Sequence, residues 1–300
     1  MNNTKIVSEF IDIFNAAVGS ARESRQEEWE NLHSENLFGA SMVGGCLRAS
    51  YMSRSEFPIT NHFSAETMVV FDIGHQIESW FMDVVSEYVS QNGMGYIDPQ
   101  AESKDNYHYA HTDGLWVTSE FAMPIEIKSI SGDAVEFRER KGGKWTEYPH
   151  HALQICQFMY LSQKNGGYAL PSGEKIPVVP FGIIFYIAKD GNVRISPVSL
   201  EDYRNELLSR MDDLEYAWNN KQIPNKQKSP DKYPCTFCRF WDLCWGTELP
   251  RTPKGSISFL KGIGIDVKRK DSLFYVDDVG MNNVELISFA ASKNDEIRKR

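Results

Sequence analysis

The stretch MPIEIKSIS (123–131) has the pattern of a short β-strand in which two charged residues alternate with isoleucines. Successive side chains of a strand point to opposite faces, so Glu126 and Lys128 share one face while Ile125 and Ile127 share the other. A buried carboxylate and ammonium are costly unless they are paired or used. Two interpretations are therefore open: a half-exposed antiparallel strand with a surface ion pair, or a strand that carries a functional site.

The segments around this strand predict a mixed α/β domain. Helical spacing of apolar residues runs over about 66–88 and again over 150–162. Two hairpins are predicted: one pairs a strand over 108–118 with the quoted strand, and the other turns at Asp190-Gly191. This order favours an α/β fold with a mixed central β-sheet flanked by helices. The first of these helices is expected to present one apolar stripe, made of Ile77, Phe81, Val84, Val85 and Tyr88.

The composition is that of a globular protein and not of a polyanion-coating or membrane protein. The 300 residues carry a net charge of −9, with 41% hydrophobic and 24% charged residues. This balance argues against a general phosphate-coating surface but allows a local basic groove. No window approaches the roughly 18 apolar residues of a membrane span. The start MNNTKIVSEF lacks a secretion signal, so we expect a reducing cytoplasm where the five cysteines are not structural disulfides.

Acidic residues on two neighbouring elements could join Glu126 in a metal site. Asp113 begins the strand that precedes the quoted one, and pairing of these strands would bring the two carboxylates together, as Mg²⁺ or Mn²⁺ requires. Lys128 would then hold or activate a water, or offset phosphate charge, in metal-assisted phosphodiester hydrolysis. His75 and Glu78 lie three residues apart on one helix face and are further candidates. Either of these two could equally be an ordinary surface residue.

This set of residues resembles the signature of the PD-(D/E)XK nuclease superfamily. Asp113 is followed by twelve residues and then by Glu126-Ile127-Lys128, while GHQIE (74–78) and HHALQICQFMYL (150–161) resemble its RecB-like branch. The resemblance implies a restriction-endonuclease-like core with metal ligands at Glu78, Asp113 and Glu126. It carries catalytic roles over to six residues: Glu78, Asp113, Glu126, Lys128, Gln154 and His75.

Two positions depart from the superfamily pattern. The residue before Asp113 is Thr112 and not proline. The tyrosine expected four residues after Gln154 is replaced by Phe158, with Tyr160 close by. Tyr160 is therefore the candidate for a contact with DNA.

Three of the five cysteines form the cluster Cys235-x2-Cys238-x5-Cys244, which aromatic residues flank. In a reducing compartment such a cluster indicates metal ligands. Zinc and iron–sulfur sites usually take four protein ligands, so one more thiolate is needed. Cys156 lies within a predicted helix, where a small buried residue fits, whereas Cys46 follows Gly-Gly in a segment without periodicity. We therefore expect Cys46 to be the fourth ligand.

The cysteine spacing also resembles that of the iron–sulfur nucleases of this superfamily, which include AddB-type nuclease domains and CRISPR-associated adaptation exonucleases. There a structural [4Fe–4S] cluster ties the two ends of the nuclease domain together. Here it would join residue 46 to 235–244, with zinc as the alternative cofactor. The resemblance covers about residues 40–248, a RecB-like nuclease domain with an iron–sulfur-stapled helical region. Outside it lie an N-terminal helical extension (1–39), predicted from the helical spacing of its apolar residues, and a C-terminal appendage (249–300).

Two groups of basic residues could border a groove that leads DNA to the metals. Each could instead consist of solvated loop charges. The first group comprises Arg138, Arg140, Lys141 and Lys144, and the second comprises Lys221, Lys226, Lys228 and Lys232.

Together these features predict a Mg²⁺- or Mn²⁺-dependent DNA exonuclease that acts on DNA ends, single-stranded or frayed. It would work in phage or cellular recombination or repair, or process ends for a CRISPR-adaptation partner, and it would not need a membrane. The first alternative is a non-catalytic DNA-binding or scaffold module that retains the four-cysteine site. The second is a zinc-stabilised structural protein in which the Glu126-x-Lys128 pair is incidental.

Overall fold

The computed structural model describes residues 37–57, 65–132, 134, 146–229, 232–245, 267–270 and 273–276. The helices in these ranges are α1 (Ala40–Gly44), α2 (Leu47–Arg54), α3 (Ala65–Gln91), α4 (Pro149–Lys164), α5 (Leu200–Asn219) and α6 (Trp241–Trp245), with a 3₁₀ turn at Cys235–Phe237. The strands are β1 (Phe38–Gly39), β2 (Tyr96–Pro99), β3 (Glu102–Lys104), β4 (His108–His111), β5 (Gly114–Val117), β6 (Ala122–Ile130), β7 (Tyr168–Ala169), β8 (Lys175–Ile176), β9 (Phe181–Ala188), β10 (Val193–Ser199), β11 (Val267–Lys270) and β12 (Leu273–Val276).

The central sheet has five strands in the order β10-β9-β6-β5-β2. Strand β6 pairs parallel with β9 and antiparallel with β5, and the outer pairs β9–β10 and β5–β2 are antiparallel. The sheet is therefore mixed, and the quoted stretch forms its middle strand. A parallel pair needs a long crossover, which here contains α4.

Helices cover both faces of this sheet. On one face Ile125 and Ile127 of β6 pack with Met82 of α3. On the other face Ile184 of β9 belongs to the large core cluster that includes Leu153 of α4. The predicted α/β fold with a mixed central sheet flanked by helices is confirmed, and it is consistent with a restriction-endonuclease-like core.

The strand predicted over 108–118 is in fact two strands that belong to different sheets. Strand β4 lies in a three-stranded sheet with β1 and β3, whereas β5 lies in the central sheet. The chain changes sheets at Thr112 and Asp113, whose side chains hydrogen-bond the backbone of β6. The predicted pairing of β5 with β6 is nevertheless confirmed, and so is the hairpin that turns at Asp190-Gly191.

The apolar stripe predicted for the first long helix is only partly buried. Ile77, Phe81 and Val85 pack against the cluster beneath α3. Val84 and Tyr88 are instead 50% and 63% exposed. Their side chains point away from the sheet because a helix lying on a sheet covers it with only one face.

The chain divides into two compact units, Met1–Glu56 with Phe63–Pro224, and Phe57–His62 with Asn225–Arg300. The central sheet lies in the first unit and the cluster 235–244 in the second. The region bounds 1–39, 40–248 and 249–300 stay predictions, and the predicted N-terminal helix lies outside the described residues. Within the described ranges, no helix is both long and apolar enough to cross a membrane.

A close contact between α1 and the start of α4 depends on a glycine. A Cβ atom added to Gly44 would lie 2.4 Å from the backbone oxygen of His150. By contrast, a Cβ atom on Gly74, within α3, would lie 3.6 Å from Cβ of Ser129, which is an ordinary contact. The two glycines therefore provide a matched pair.

We predict that Gly44→Ala lowers the free energy of unfolding by about 1–3 kcal/mol, because the added methyl group separates α1 from α4. Gly74→Ala should instead be neutral or raise it by about 0.5–1 kcal/mol, since alanine favours a helix interior. Urea denaturation of both variants measures the difference. Equal midpoints for Gly44→Ala and the wild type would contradict the contact.

Candidate active site

Asp113 is fixed at the point where the chain enters the central sheet. Its Oδ2 atom accepts a hydrogen bond of 2.7 Å from the backbone N–H of Ile127. The residue is buried, so this bond is shielded from competing water. The bond leaves Oδ1 of the same carboxylate available to a ligand.

Glu126 is completely buried in the middle of the sheet. Its Cα partner on β9 is Ile184, so Glu126 points to the α4 face, as does Lys128 opposite Tyr186. The Lys128 ammonium pairs with Oε1 of Glu126. The other oxygen, Oε2, is buried and has no hydrogen-bond partner. The interpretation as a surface ion pair is therefore wrong, and a buried acceptor is left for a ligand.

Glu78 of α3 lies within electrostatic reach of the two strand carboxylates. Burial and the neighbouring Asp113, partly opposed by Lys128, together raise the pKa of Glu78 to about 7. Gln100 Nε2 donates to Oε1 of Glu78 over 3.5 Å, and Nδ1 of His75 lies 3.7 Å from Oε2. Glu78 is thus coupled electrostatically to Asp113 and Glu126, and His75 accompanies Glu78 at a more exposed position.

The charges in this cluster are unbalanced. Burial raises the pKa of Glu126 to about 8, against the effect of Lys128 and with contributions from Asp113 and Glu78. Burial disfavours the charged form of Lys128, but Glu126 and Asp113 together hold its pKa above the ordinary value. One ammonium therefore faces three carboxyl groups. Such a site gains stability from an added positive charge.

The donor set fits an oxygen-preferring divalent cation such as Mg²⁺ or Mn²⁺. It consists of carboxylates on three elements, and one buried carboxylate oxygen is without a partner. In the part of the chain that the structure describes, no group of three or more His, Cys, Asp or Glu side chains is arranged as a ready-made metal site. The residues offer the chemistry of such a site, and cation binding would require them to draw closer.

The glutamine and tyrosine expected near the site lie on α4. Gln154 and Tyr160 are both half-buried there, and their catalytic and DNA-binding roles stay predictions. A different glutamine has clear contacts: Gln157 is fully buried, and its Nε2 atom donates to the backbone oxygens of Phe38 and Tyr109 at 3.2 and 3.0 Å. Gln157 therefore ties α4 to the three-stranded sheet.

The three clustered cysteines share one small core in the second unit. Cys235, Cys238 and Cys244 pack with Trp241 and Trp245. The backbone N–H of Phe240 donates to Sγ of Cys238 over 3.4 Å. Hydrogen bonds of this kind tune thiolate ligands of metal centres.

The other two cysteines have different surroundings. Cys156 is fully buried within α4, and burial raises the pKa of its thiol to about 12, with Asp202 adding to the effect. This environment disfavours the thiolate, as expected for a core residue. Cys46 is partly exposed in the first unit, directly before α2. Arg210 of α5 holds the preceding turn through the backbone oxygens of Val43 and Gly45.

The basic residues proposed for DNA binding are only partly described. Arg138, Arg140, Lys141 and Lys144 lie outside the described residues. Of the second group, Lys221, Lys228 and Lys232 are exposed, and Nζ of Lys226 lies 4.4 Å from the ring centroid of Trp245. Lysine 226 therefore takes part in a cation–π contact next to the cysteine cluster.

The raised carboxyl pKa values predict how the stability of the metal-free protein depends on pH. Between about pH 4.5 and pH 8 the folded state keeps a proton on Glu126 that the unfolded state has lost, so the free energy of unfolding falls as pH rises. Each retained proton contributes up to about 1.4 kcal/mol per pH unit. We expect Glu126→Gln to flatten this slope in urea titrations performed with EDTA. An unchanged slope would show that Glu126 is already ionised in the fold.

Comparison with known proteins gives only distant structural likenesses. No family model matches the chain, and no curated protein matches it. Among solved structures, the crystal structure of an alkaline exonuclease (LHK-Exo) from Laribacter hongkongensis aligns over 65% of this chain and 96% of its own length, with 14% sequence identity and a TM-score of 0.40. A likeness of this degree establishes no family, and the function has to follow from the residues of the site.

Proposed function

We propose that this chain is a divalent-metal-dependent DNA exonuclease that hydrolyses phosphodiester bonds at DNA ends. The observation that carries the proposal is the buried carboxylate of Glu126, which has one oxygen on Lys128 and one without a partner. A fold tolerates such a group when a ligand completes it. The choice of DNA as substrate is supported by the resemblance of the sequence motifs to PD-(D/E)XK nucleases.

Glu78, Asp113 and Glu126 would hold Mg²⁺ or Mn²⁺, which supplies Lewis-acid stabilisation of the phosphoryl oxygens. The protein residues prepare the site for this task. Oε1 of Glu126 is paired with Lys128, so Oε2 is the oxygen that would be left to hold the cation. The backbone N–H of Ile127 holds Asp113 in place. Burial limits competing water and strengthens each of these electrostatic contacts.

Lys128 acts as a charged hydrogen-bond donor in this proposal. The neighbouring carboxylates keep its pKa above the ordinary value, so it stays protonated at neutral pH. A protonated ammonium cannot take a proton from water. Its N–H groups can donate hydrogen bonds to the oxygen of the attacking water and so orient it. The positive charge can also offset the negative charge that develops on the phosphate.

The approach of DNA to this acidic chain requires local positive charge. The net charge of −9 disfavours long-range attraction of a polyanion. The basic groups at 138–144 and 221–232 are the candidates for a local path, and single-stranded or frayed ends are the candidate substrate. A partner in recombination or in CRISPR adaptation would deliver such ends.

We further propose that Cys235, Cys238 and Cys244 are ligands of a structural [4Fe–4S] cluster, with zinc as the alternative. Their common core with two tryptophans and the N–H bond to Cys238 support a metal–thiolate centre. The fourth ligand is assigned from the sequence alone, to Cys46. Such a centre requires the cysteines as thiolates.

The nuclease proposal is tested with end-labelled DNA in Mg²⁺, Mn²⁺ or EDTA. We expect cation-dependent loss of label, reduced by about 100-fold or more in Glu126→Gln and in Lys128→Ala because each removes charge from the reacting centre. Glu120→Gln, an exposed change in the turn before β6, is the matched control and should keep full activity. Wild-type cleavage by either site variant refutes the assignment. A wild type that binds DNA without cutting it in either cation indicates the scaffold alternative.

The cluster proposal is tested by anaerobic purification with iron and zinc analysis. We expect iron together with absorption at about 400 nm, as iron–sulfur centres show. Cys235→Ala should lose both, whereas Cys156→Ala, a core change, should retain both. A colourless protein that contains zinc selects the zinc alternative, and a protein free of either metal contradicts a thiolate centre.

A further inference from the structure

Two side chains continue the pairing of β5 with β6 beyond its last backbone pair. In this ladder Gly114 is the Cα partner of Ile125. The chain turns into β5 immediately before Gly114, so the next two residues, Thr112 and Asp113, arrive from the other sheet. Their side chains bond the two peptide groups that flank Glu126: Thr112 bonds Ile125 and Asp113 bonds Ile127.

The hydroxyl of Thr112 makes the shorter of these two bonds. Its Oγ1 atom lies 2.6 Å from the backbone oxygen of Ile125 and 3.2 Å from that of Gly114. A hydroxyl has a single proton to donate, and the distances assign it to Ile125. Thr112 is fully buried, so water cannot replace this bond.

The consequence concerns the distance between two carboxylates. Asp113 is covalently next to Thr112, and Glu126 is covalently next to Ile125. The Thr112 bond therefore fixes the backbones of both acidic residues to one another, on the side opposite the Asp113–Ile127 bond. Small shifts of a carboxylate pair change the affinity for a hard cation, because its oxygen ligands must lie at defined distances.

We propose that Thr112 is a positioning residue that sets the separation of Asp113 and Glu126 and thereby the affinity of the site for its divalent cation. The inference rests on the proposed function, since it assumes that these carboxylates hold a cation. Proline, which the sequence resemblance places at this position, has no hydroxyl. In this chain the buried hydrogen bond from Thr112 to Ile125 sets the position of Asp113 relative to Glu126.

A matched residue stands at the other end of the same hairpin. Thr118 donates from Oγ1 to the backbone oxygen of Phe121 over 3.0 Å and accepts from the N–H of Phe121 at 3.1 Å. Thr118 thus hydrogen-bonds the backbone at the turn between β5 and β6, as Thr112 does at the other end of the hairpin, next to Glu126. Thr118→Val therefore removes the same type of bond from the same hairpin, away from the carboxylates.

The experiment measures Mn²⁺ binding to the full chain without DNA, by calorimetry and by the loss of the free-ion electron paramagnetic resonance signal. We expect Thr112→Val, which keeps the shape and removes the hydroxyl, to weaken Mn²⁺ binding by about 10- to 100-fold, the usual effect of losing a partner that orients a metal ligand. Thr112→Ser restores the donor and should stay within about threefold of the wild type. Thr112→Ala provides a second hydroxyl-free variant if the valine disturbs folding, which urea unfolding reports.

The outcomes separate this inference from the proposed function. Wild-type Mn²⁺ affinity in Thr112→Val and Thr112→Ala overturns the positioning role, and so does an equal loss in Thr118→Val. A wild type that binds Mn²⁺ but leaves DNA intact refutes the nuclease, while the Thr112 comparison still decides the inference. A wild type that binds no Mn²⁺ overturns the metal centre and the inference together.

Discussion

The burial of the Glu126 carboxylate is the constraint on which the rest of the site depends. A carboxylate without solvent is costly unless charge and hydrogen bonds compensate it. Lys128 provides that compensation on one oxygen, and both residues point to the face that α4 covers. The middle position of β6 removes water from both sides of the strand. Because water is excluded there, an added positive charge would interact strongly with this carboxylate.

The surrounding elements can be understood as responses to this constraint. Asp113 enters from the neighbouring sheet and is held by the β6 backbone. Glu78 belongs to α3, where burial and then the like charge of Asp113 raise its pKa to about 7. In the metal-free protein this excess of acidic groups works against folding. Functional sites typically lower the free energy of unfolding of the ligand-free protein in this way. A ligand that binds only the folded state raises it again.

Hydrogen bonds to the backbone of β6 set the positions of the residues around Glu126. Thr112 and Asp113 lie at a junction between two sheets, where regular ladder bonds end. Side-chain oxygens there make the bonds to β6 that backbone groups make elsewhere in the ladder. Gln157 of α4 likewise donates to two backbone oxygens of the three-stranded sheet. Buried polar side chains therefore join β6 to the junction that carries Asp113, and α4 to the three-stranded sheet.

The sequence by itself determined the local features of this protein. Periodicity placed α3, α4 and the two hairpins, and alternation along β6 separated Glu126 and Lys128 from the isoleucines. Two strand-like runs separated by a short turn were enough to predict that β5 pairs with β6, because hairpin pairing is local. Helix periodicity also predicted the buried position of Cys156, since one face of α4 lies on the sheet.

Only the tertiary structure decided whether Glu126 is buried or exposed. That depends on the parallel pairing of β6 with β9, more than fifty residues away along the chain, and on the helices that cover each face. The division of 108–118 between two sheets, the exposed Val84 and Tyr88, and the bond of Thr112 to Ile125 are likewise products of distant contacts. Burial and long-range pairing arise from the packing of whole elements, and a local pattern of residue types does not encode them.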